Sequence, residues 1–213
     1  RIRPLLLLMS YQIFDEDVKR AISPAIAIEH FHNFTLLHDD IMDNAPLRRG
    51  SPTVHKKWNS NIAILSGDVM MIQAYQLLSE VDSTILKEVL DIFSKTAIQV
   101  CEGQQWDMDF EMQKNVNLVE YMKMIEYKTA VLMAASLQIG AITAGASNKD
   151  QAHIYEFGLN MGIAFQLKDD LLDVFGNPEA FGKQVGGDIM ANKKTYLYLK
   201  ALQLADDSNK EKL

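Results

Sequence analysis

The chain of 213 residues carries 21 Lys and Arg against 28 Asp and Glu, a net charge of −7. That balance argues against nucleic-acid binding, which asks for a basic patch to displace counterions from phosphates. Its 48% hydrophobic and 23% charged residues exclude a disordered chain and suit one large core, and its one cysteine, Cys101, allows no intramolecular disulfide and fits a reducing cytoplasm.

No basic stretch followed by an apolar one opens the chain, so no signal peptide is expected. Because it begins at Arg1 without an initiator Met and ends in the polar stretch Asp206 to Leu213, it is expected to be a fragment of a longer protein. Only 5 Pro and 11 Gly punctuate segments rich in Leu, Met, Ala, Ile, Lys and Glu, mostly good helix formers. Apolar residues at Ile26, Ile28, Phe31, Phe34 and Leu37 predict a helix from Ser23 to about Met42, with Pro24 in its first turn. Asn44 to Pro52 is the densest cluster of helix breakers and reads as a loop. Further helices are predicted around Trp58 to Ser79, Thr84 to about Gln104, Leu118 to Ala144 and Lys149 to Val174. A second loop, Phe175 to Gly187, precedes a last helix from about Lys193 to Ala205. Val131 to Ala146 falls short of the roughly 20 apolar residues of a membrane span and is read as a buried helix. No confident strand, repeat or domain boundary is visible. The expected architecture is a single all-α bundle over residues 1–213.

One pattern occurs twice. Asp39-Asp40-Ile-Met-Asp43 and Asp169-Asp170-Leu-Leu-Asp173 share the spacing D-D-x-x-D, each at the C-terminal end of an apolar helix. On a helix, positions i and i+4 are neighbours, so Asp39 and Asp43 share a face, as do Asp169 and Asp173. Like charges placed together, at the helix end whose dipole is already negative, call for a cation. Mg²⁺ is a good match, because it takes one or two protein carboxylates and completes its octahedron with phosphate oxygens and water. Arg48 and Arg49 follow the first cluster, Lys183 and Lys193 the second, and such groups bind phosphate through forked or point-charge contacts. Lys128-Thr129 lies in a helix that is apolar on either side.

His38-Asp-Asp-Ile-Met-Asp43 with Arg48-Arg-Gly50, and Phe165-Gln-Leu-Lys-Asp-Asp-Leu-Leu-Asp173 followed by Gly182-Lys183 and Gly186-Gly-Asp-Ile189, resemble the two aspartate-rich motifs of the trans-polyprenyl diphosphate synthases, over nearly the whole chain. The resemblance implies an all-α prenyltransferase fold, a homodimer, and head-to-tail condensation of isopentenyl diphosphate with an allylic diphosphate. It implies Asp39, Asp43 and Asp169 as direct ligands of Mg²⁺, three ions with substrate bound, and Asp40, Asp170 and Asp173 as support through water. Arg48, Lys128, Thr129, Gln166, Lys183 and Lys193 match positions that hold the allylic diphosphate. Arg3, His32 and Arg49 match the isopentenyl diphosphate pocket. In the family a Gly-Lys pair precedes the motif seen here as Arg1-Ile-Arg-Pro4, and helices usually flank the span on both sides, so those parts are expected to be missing.

In such a reaction the allylic C–O bond ionises, the isopentenyl double bond attacks the cation and a proton is lost. Charge stabilisation at the departing diphosphate supplies most of the catalysis, and the released diphosphate can take the proton, with His32 and His38 as other candidates. Product length should be set one turn before Asp39, by Phe34 and Thr35. A bulky Phe34 with no insertion in the motif resembles enzymes making C15 or C20 products, and Met70, Met71 and Tyr75 could form a deeper wall. A longer-chain synthase and a noncatalytic subunit of a heteromeric synthase are the alternatives. A di-iron bundle needs two Glu-x-x-His motifs, and only Glu29-x-x-His32 is present. A terpene cyclase would normally replace the second aspartate motif.

Overall fold

The computed structural model describes residues 1–113, 115–176 and 193–210. The helices in chain order are α1 (Ile2–Gln12), α2 (Lys19–Met42), α3 (Val54–Lys57), α4 (Ser60–Leu78), α5 (Ser83–Met112), α6 (Leu118–Ile125), α7 (Val131–Thr143), α8 (Asn148–Phe175), α9 (Tyr196–Leu204) and α10 (Asp207–Lys210). A π-helical turn, Glu126–Ala130, separates α6 from α7. Strands β1 (Leu47–Arg48) and β2 (Ser51–Pro52) pair as a two-residue antiparallel hairpin. The fold among the described residues is therefore all-α apart from that hairpin. Among the described residues no helix is long and apolar enough to cross a membrane.

Chain contacts divide the molecule into two compact units, one of Arg1–Thr96 with Met133–Gly158, the other of Ala97–Leu132 with Leu159–Leu213. In the first, α2 packs against α1 and α4. Its core holds Leu7, Tyr11, Ile28, Phe31, Leu78, Val89 and Phe93, joined by Met133, Ile139 and Ile142. Phe93 meets Phe31 and Tyr75 edge-on at 5.2 and 5.1 Å between ring centres. The Ser10 hydroxyl donates to the Leu137 carbonyl at 2.6 Å and fastens α1 to α7. In the second unit, Phe110, Tyr121, Met124, Ile125 and Leu199 form the core, flanked by Trp106, Ile163, Leu167 and Tyr196. The start of α6 is fixed by a capping box in which Asn117 and Glu120 each bond the other's backbone N–H.

Several elements differ from expectation, among them α3, where no helix was expected, and α5, which runs on to Met112. Helix α1 was not anticipated; Pro4 is accommodated in its first turn, where no intrahelical N–H is required. Helix α2 begins at Lys19, which puts Pro24 inside it. Burial of Ala21, Pro24, Ala25 and Ile28 outweighs the local cost of the missing N–H. The breaker cluster contains the hairpin, because Arg49 at φ 54° and Gly50 at φ 76° supply the two left-handed positions of a type I′ turn. The segment from Leu118 is not one α-helix, because the π turn intervenes.

Candidate functional site

The first aspartate cluster closes α2. Asp40 is 4% exposed, and the hairpin carries Arg48 back onto it. The Arg48 guanidinium donates to Asp40 Oδ1 from Nε at 2.9 Å and Nη2 at 2.6 Å, and to Asp39 Oδ2 at 3.1 Å. Burial works against the Arg48 charge, but these two carboxylates outweigh it and raise the pKa above its ordinary value. Asp43 lies one turn beyond Asp39 and is exposed. Arg48 is thus a loop cation that reaches this cluster.

A second set of cations lies in the same unit. Arg3 on α1 donates from Nη1 to His32 Nε2 on α2 at 3.0 Å. Since a guanidinium only donates, Nε2 accepts and the ring proton is on Nδ1. Burial, then Arg3 and Arg49, push the His32 pKa down to about 3. Burial also lowers Arg3 to about 10, opposed by Glu29 and assisted by Arg49. Among the described residues Arg3 Nε is buried without a hydrogen-bond acceptor. Arg1 is tied to Glu29 at 2.7 Å.

The second unit holds the second cluster, on the last turns of α8. Asp169 and Asp173 are partly exposed, whereas Asp170 is 3% exposed. Asp170 accepts from the Tyr121 hydroxyl, from Gln166 Nε2 at 3.2 Å and from the Tyr196 backbone N–H at 3.2 Å. Gln166 Oε1 in turn accepts from the Thr129 hydroxyl at 3.1 Å. Lys128, next to Thr129 in the π turn, donates to Asp107 Oδ2 on α5 at 2.6 Å, and Lys193 approaches the same oxygen at 3.5 Å. Burial raises the Asp107 carboxyl, but the two lysines exceed that effect and leave it below its usual value. Lys193 precedes α9 rather than starting it.

Asp107 was missed in the sequence because a lone Asp in a helix carries no pattern. The available signal was the spacing Gly103-x-x-x-Asp107, one helical turn. A Cβ at Gly103 would lie 2.3 Å from the Lys128 backbone N, so glycine lets the π turn come close and delivers Lys128 to the carboxylate one turn along. π turns inside helices often mark functional sites.

Phe34, half-buried on α2, meets Phe31 at a tilt and His38 edge-on, at 5.7 and 4.7 Å between ring centres. Thr35 is tied to its own helix by a 2.8 Å bond to the His32 carbonyl. Met70 lines an apolar groove of about 430 Å³ with Pro4, Leu8, Ile22 and Ile26. Lys183 lies outside the described residues. Among the described residues, no three His, Cys, Asp or Glu side chains converge to form a metal site by themselves.

With cations seated on a D-D-x-x-D helix end and an all-α frame, the chain is of the isoprenyl-synthase type. It belongs to the polyprenyl synthetase family, whose model matches residues 1–213. It is 42% identical over 205 residues to a geranylgeranyl diphosphate synthase of Methanosarcina mazei, covering 95% of this chain and 63% of that protein. A short chain isoprenyl diphosphate synthase of Methanocaldococcus jannaschii is 41% identical, covering 100% of this chain and 65% of its own length. A crystal structure of a geranylgeranyl pyrophosphate synthase superposes with a TM-score of 0.95 at 55% identity, over 99% of this chain and 64% of that one. The chain thus spans slightly less than two thirds of the relatives it matches.

Proposed function

We propose that the protein condenses isopentenyl diphosphate with an allylic diphosphate in a Mg²⁺-dependent prenyl transfer, giving a C15 to C20 diphosphate. The observation that carries this reading is the pairing of carboxylates and cations around both motifs, Arg48 on Asp39 and Asp40 in one unit, Lys128 and Lys193 on Asp107 beside the second cluster in the other. The names of the relatives point the same way.

The donor set fits Mg²⁺. Asp39 and Asp43, one helical turn apart, and Asp169 supply hard carboxylate oxygens, and an ion that takes one or two carboxylates leaves its remaining positions to phosphate oxygens and water. Bound there, Mg²⁺ would neutralise charge on the departing diphosphate. Asp40, Asp170 and Asp173 complete the acidic surroundings. Arg48, Lys128, Thr129, Gln166, Lys183 and Lys193 match the family positions that hold the allylic diphosphate, where positive charge would stabilise the leaving group. Arg3, His32 and Arg49 hold isopentenyl diphosphate: the two arginines supply positive charge beside an imidazole that burial and these arginines keep neutral. Phe34 and Thr35 limit product length. A homodimer agrees with the exposed apolar stripe Ile62, Leu65, Val69 and Ile72 on α4, whose spacing of three and four puts it on one face. A cytoplasmic location agrees with the free, exposed Cys101.

The test is incubation of the full-length protein with isopentenyl diphosphate, Mg²⁺ and C5, C10 or C15 allylic primers, with products sized. C15 to C20 products are expected. No elongation of any primer refutes the reading.

A further inference from the structure

Asp170 is placed unlike its neighbours in the second cluster. A carboxylate offers about four lone-pair positions, and protein donors from three elements occupy this one: the Tyr121 hydroxyl of α6, the Gln166 amide one turn earlier on α8, and the Tyr196 N–H at the first residue of α9. At 3% exposure little of it is left for solvent. The Tyr196 N–H is one of the helix N-terminal amides that have no intrahelical partner, so a buried carboxylate there satisfies the amide and meets the positive end of the dipole. The Thr195 hydroxyl caps the next turn through Tyr198 N at 3.5 Å. Burial, then the Asp170 charge, raise the Tyr121 phenol above its ordinary pKa, which keeps it protonated and donating.

Two of the groups that Asp170 holds lead to a lysine, one through the chain and one through a further hydrogen bond. Tyr196 is three residues after Lys193, and Gln166 carries Thr129, the neighbour of Lys128. Both ammonium groups converge on Asp107. We infer that Asp170, together with Tyr121, is a positioning residue that pins the start of α9 and the Gln166–Thr129 pair and thereby aims Lys193 and Lys128, its carboxylate serving protein donors in place of metal-bound water. The inference rests on the proposed reaction for the identity of what the lysines meet.

The test uses the full-length protein and the variants Asp170→Asn, Tyr121→Phe and the double variant, with initial rates measured against allylic diphosphate and against Mg²⁺. Both single variants should raise KM for the allylic diphosphate by about 10- to 100-fold, the range for groups that orient a site's direct contacts. The half-saturating Mg²⁺ concentration should stay unchanged, and the double variant should be no worse than the more severe single one, because the two residues act through one hydrogen bond. Should Asp170→Asn fail to fold, Tyr121→Phe carries the test, since it deletes one oxygen and no charge. A rise in the Mg²⁺ requirement of Asp170→Asn, or a wild-type KM in Tyr121→Phe, overturns the inference. Calorimetric binding of pyrophosphate with Mg²⁺ reads the same lysines without turnover. A wild type that elongates no primer therefore refutes the proposed reaction alone, and the inference is then decided by whether both variants lose pyrophosphate affinity.

Discussion

Asp107→Asn removes a charge that two ammonium groups share. Lys128 Nζ lies 2.6 Å and Lys193 Nζ 3.5 Å from the same carboxylate oxygen, and the three side chains are only 12%, 26% and 21% exposed in the order Asp107, Lys128, Lys193. The short contact is a charge-assisted hydrogen bond of about 1.5–3 kcal/mol, and the longer one an ion pair of about 0.2–1 kcal/mol. Asparagine keeps a hydrogen bond from the Lys128 ammonium without the carboxylate charge, of about 0.5–1.5 kcal/mol. The net loss centres near 2 kcal/mol, and for a chain of this size the melting temperature should fall by about 4–8 °C. The pH dependence has a definite sign. The folded carboxyl lies below its usual value, so its stabilising contribution is complete above the unfolded pKa of about 3.9 and is lost as pH falls through the folded pKa. Melts followed by circular dichroism at pH 7, 5 and 3 should show the same gap between wild type and variant at the first two and a smaller gap at the third. An unchanged gap at pH 3, or coincident melts at pH 7, refutes the shared-charge argument.

Asp39→Ala or Asp169→Ala should lower turnover by orders of magnitude with the helical circular dichroism kept, and near-normal rates would remove their metal role. Phe34→Ala opens space beside Phe31 and His38 and should lengthen the product; an unchanged product on chromatography removes Phe34 as the limit. Gly103→Ala sets a Cβ 2.3 Å from the Lys128 N, a backbone clash that should cost about 1–3 kcal/mol and raise KM for the allylic diphosphate, while wild-type stability would mean that the helices yield at no cost. His32 is held at about 3 by burial and its arginines, against about 6.5 unfolded, so stability should fall as pH drops from about 6.5 toward 3. His32→Gln should remove that slope from the urea midpoint, and a slope identical to wild type would show that the imidazole is not held neutral.

Much of this molecule is written in local pattern. Helix-forming composition with few breakers declares the all-α class. The doubled D-D-x-x-D is legible because i, i+4 spacing puts carboxylates on one face without any knowledge of the rest of the fold. The loop cations are legible for the same reason, since Arg48 lies close enough in sequence to return to Asp39 and Asp40. Elements governed by distant burial were harder to see. Pro24 marks a helix start locally, yet it sits inside α2 because the buried face around it decides the helix's extent. The hairpin is two residues per strand, too short for alternation to register, and only the left-handed pair Arg49-Gly50 marks its turn.

The sequence by itself determined the all-α class and, through helical periodicity, which aspartates share a face. Only the tertiary structure decided what surrounds those aspartates. Asp169 and Asp170 are adjacent and chemically identical, but one is partly exposed and the other is enclosed by Tyr121, Gln166 and Tyr196. Asp107, with no motif around it, becomes the partner of two lysines from elements 21 and 86 residues further along the chain (128 − 107 and 193 − 107). A carboxylate's role is set by how much water it keeps and by which donors reach it. Both depend on packing between segments far apart in the chain, and spacing along the chain does not encode them.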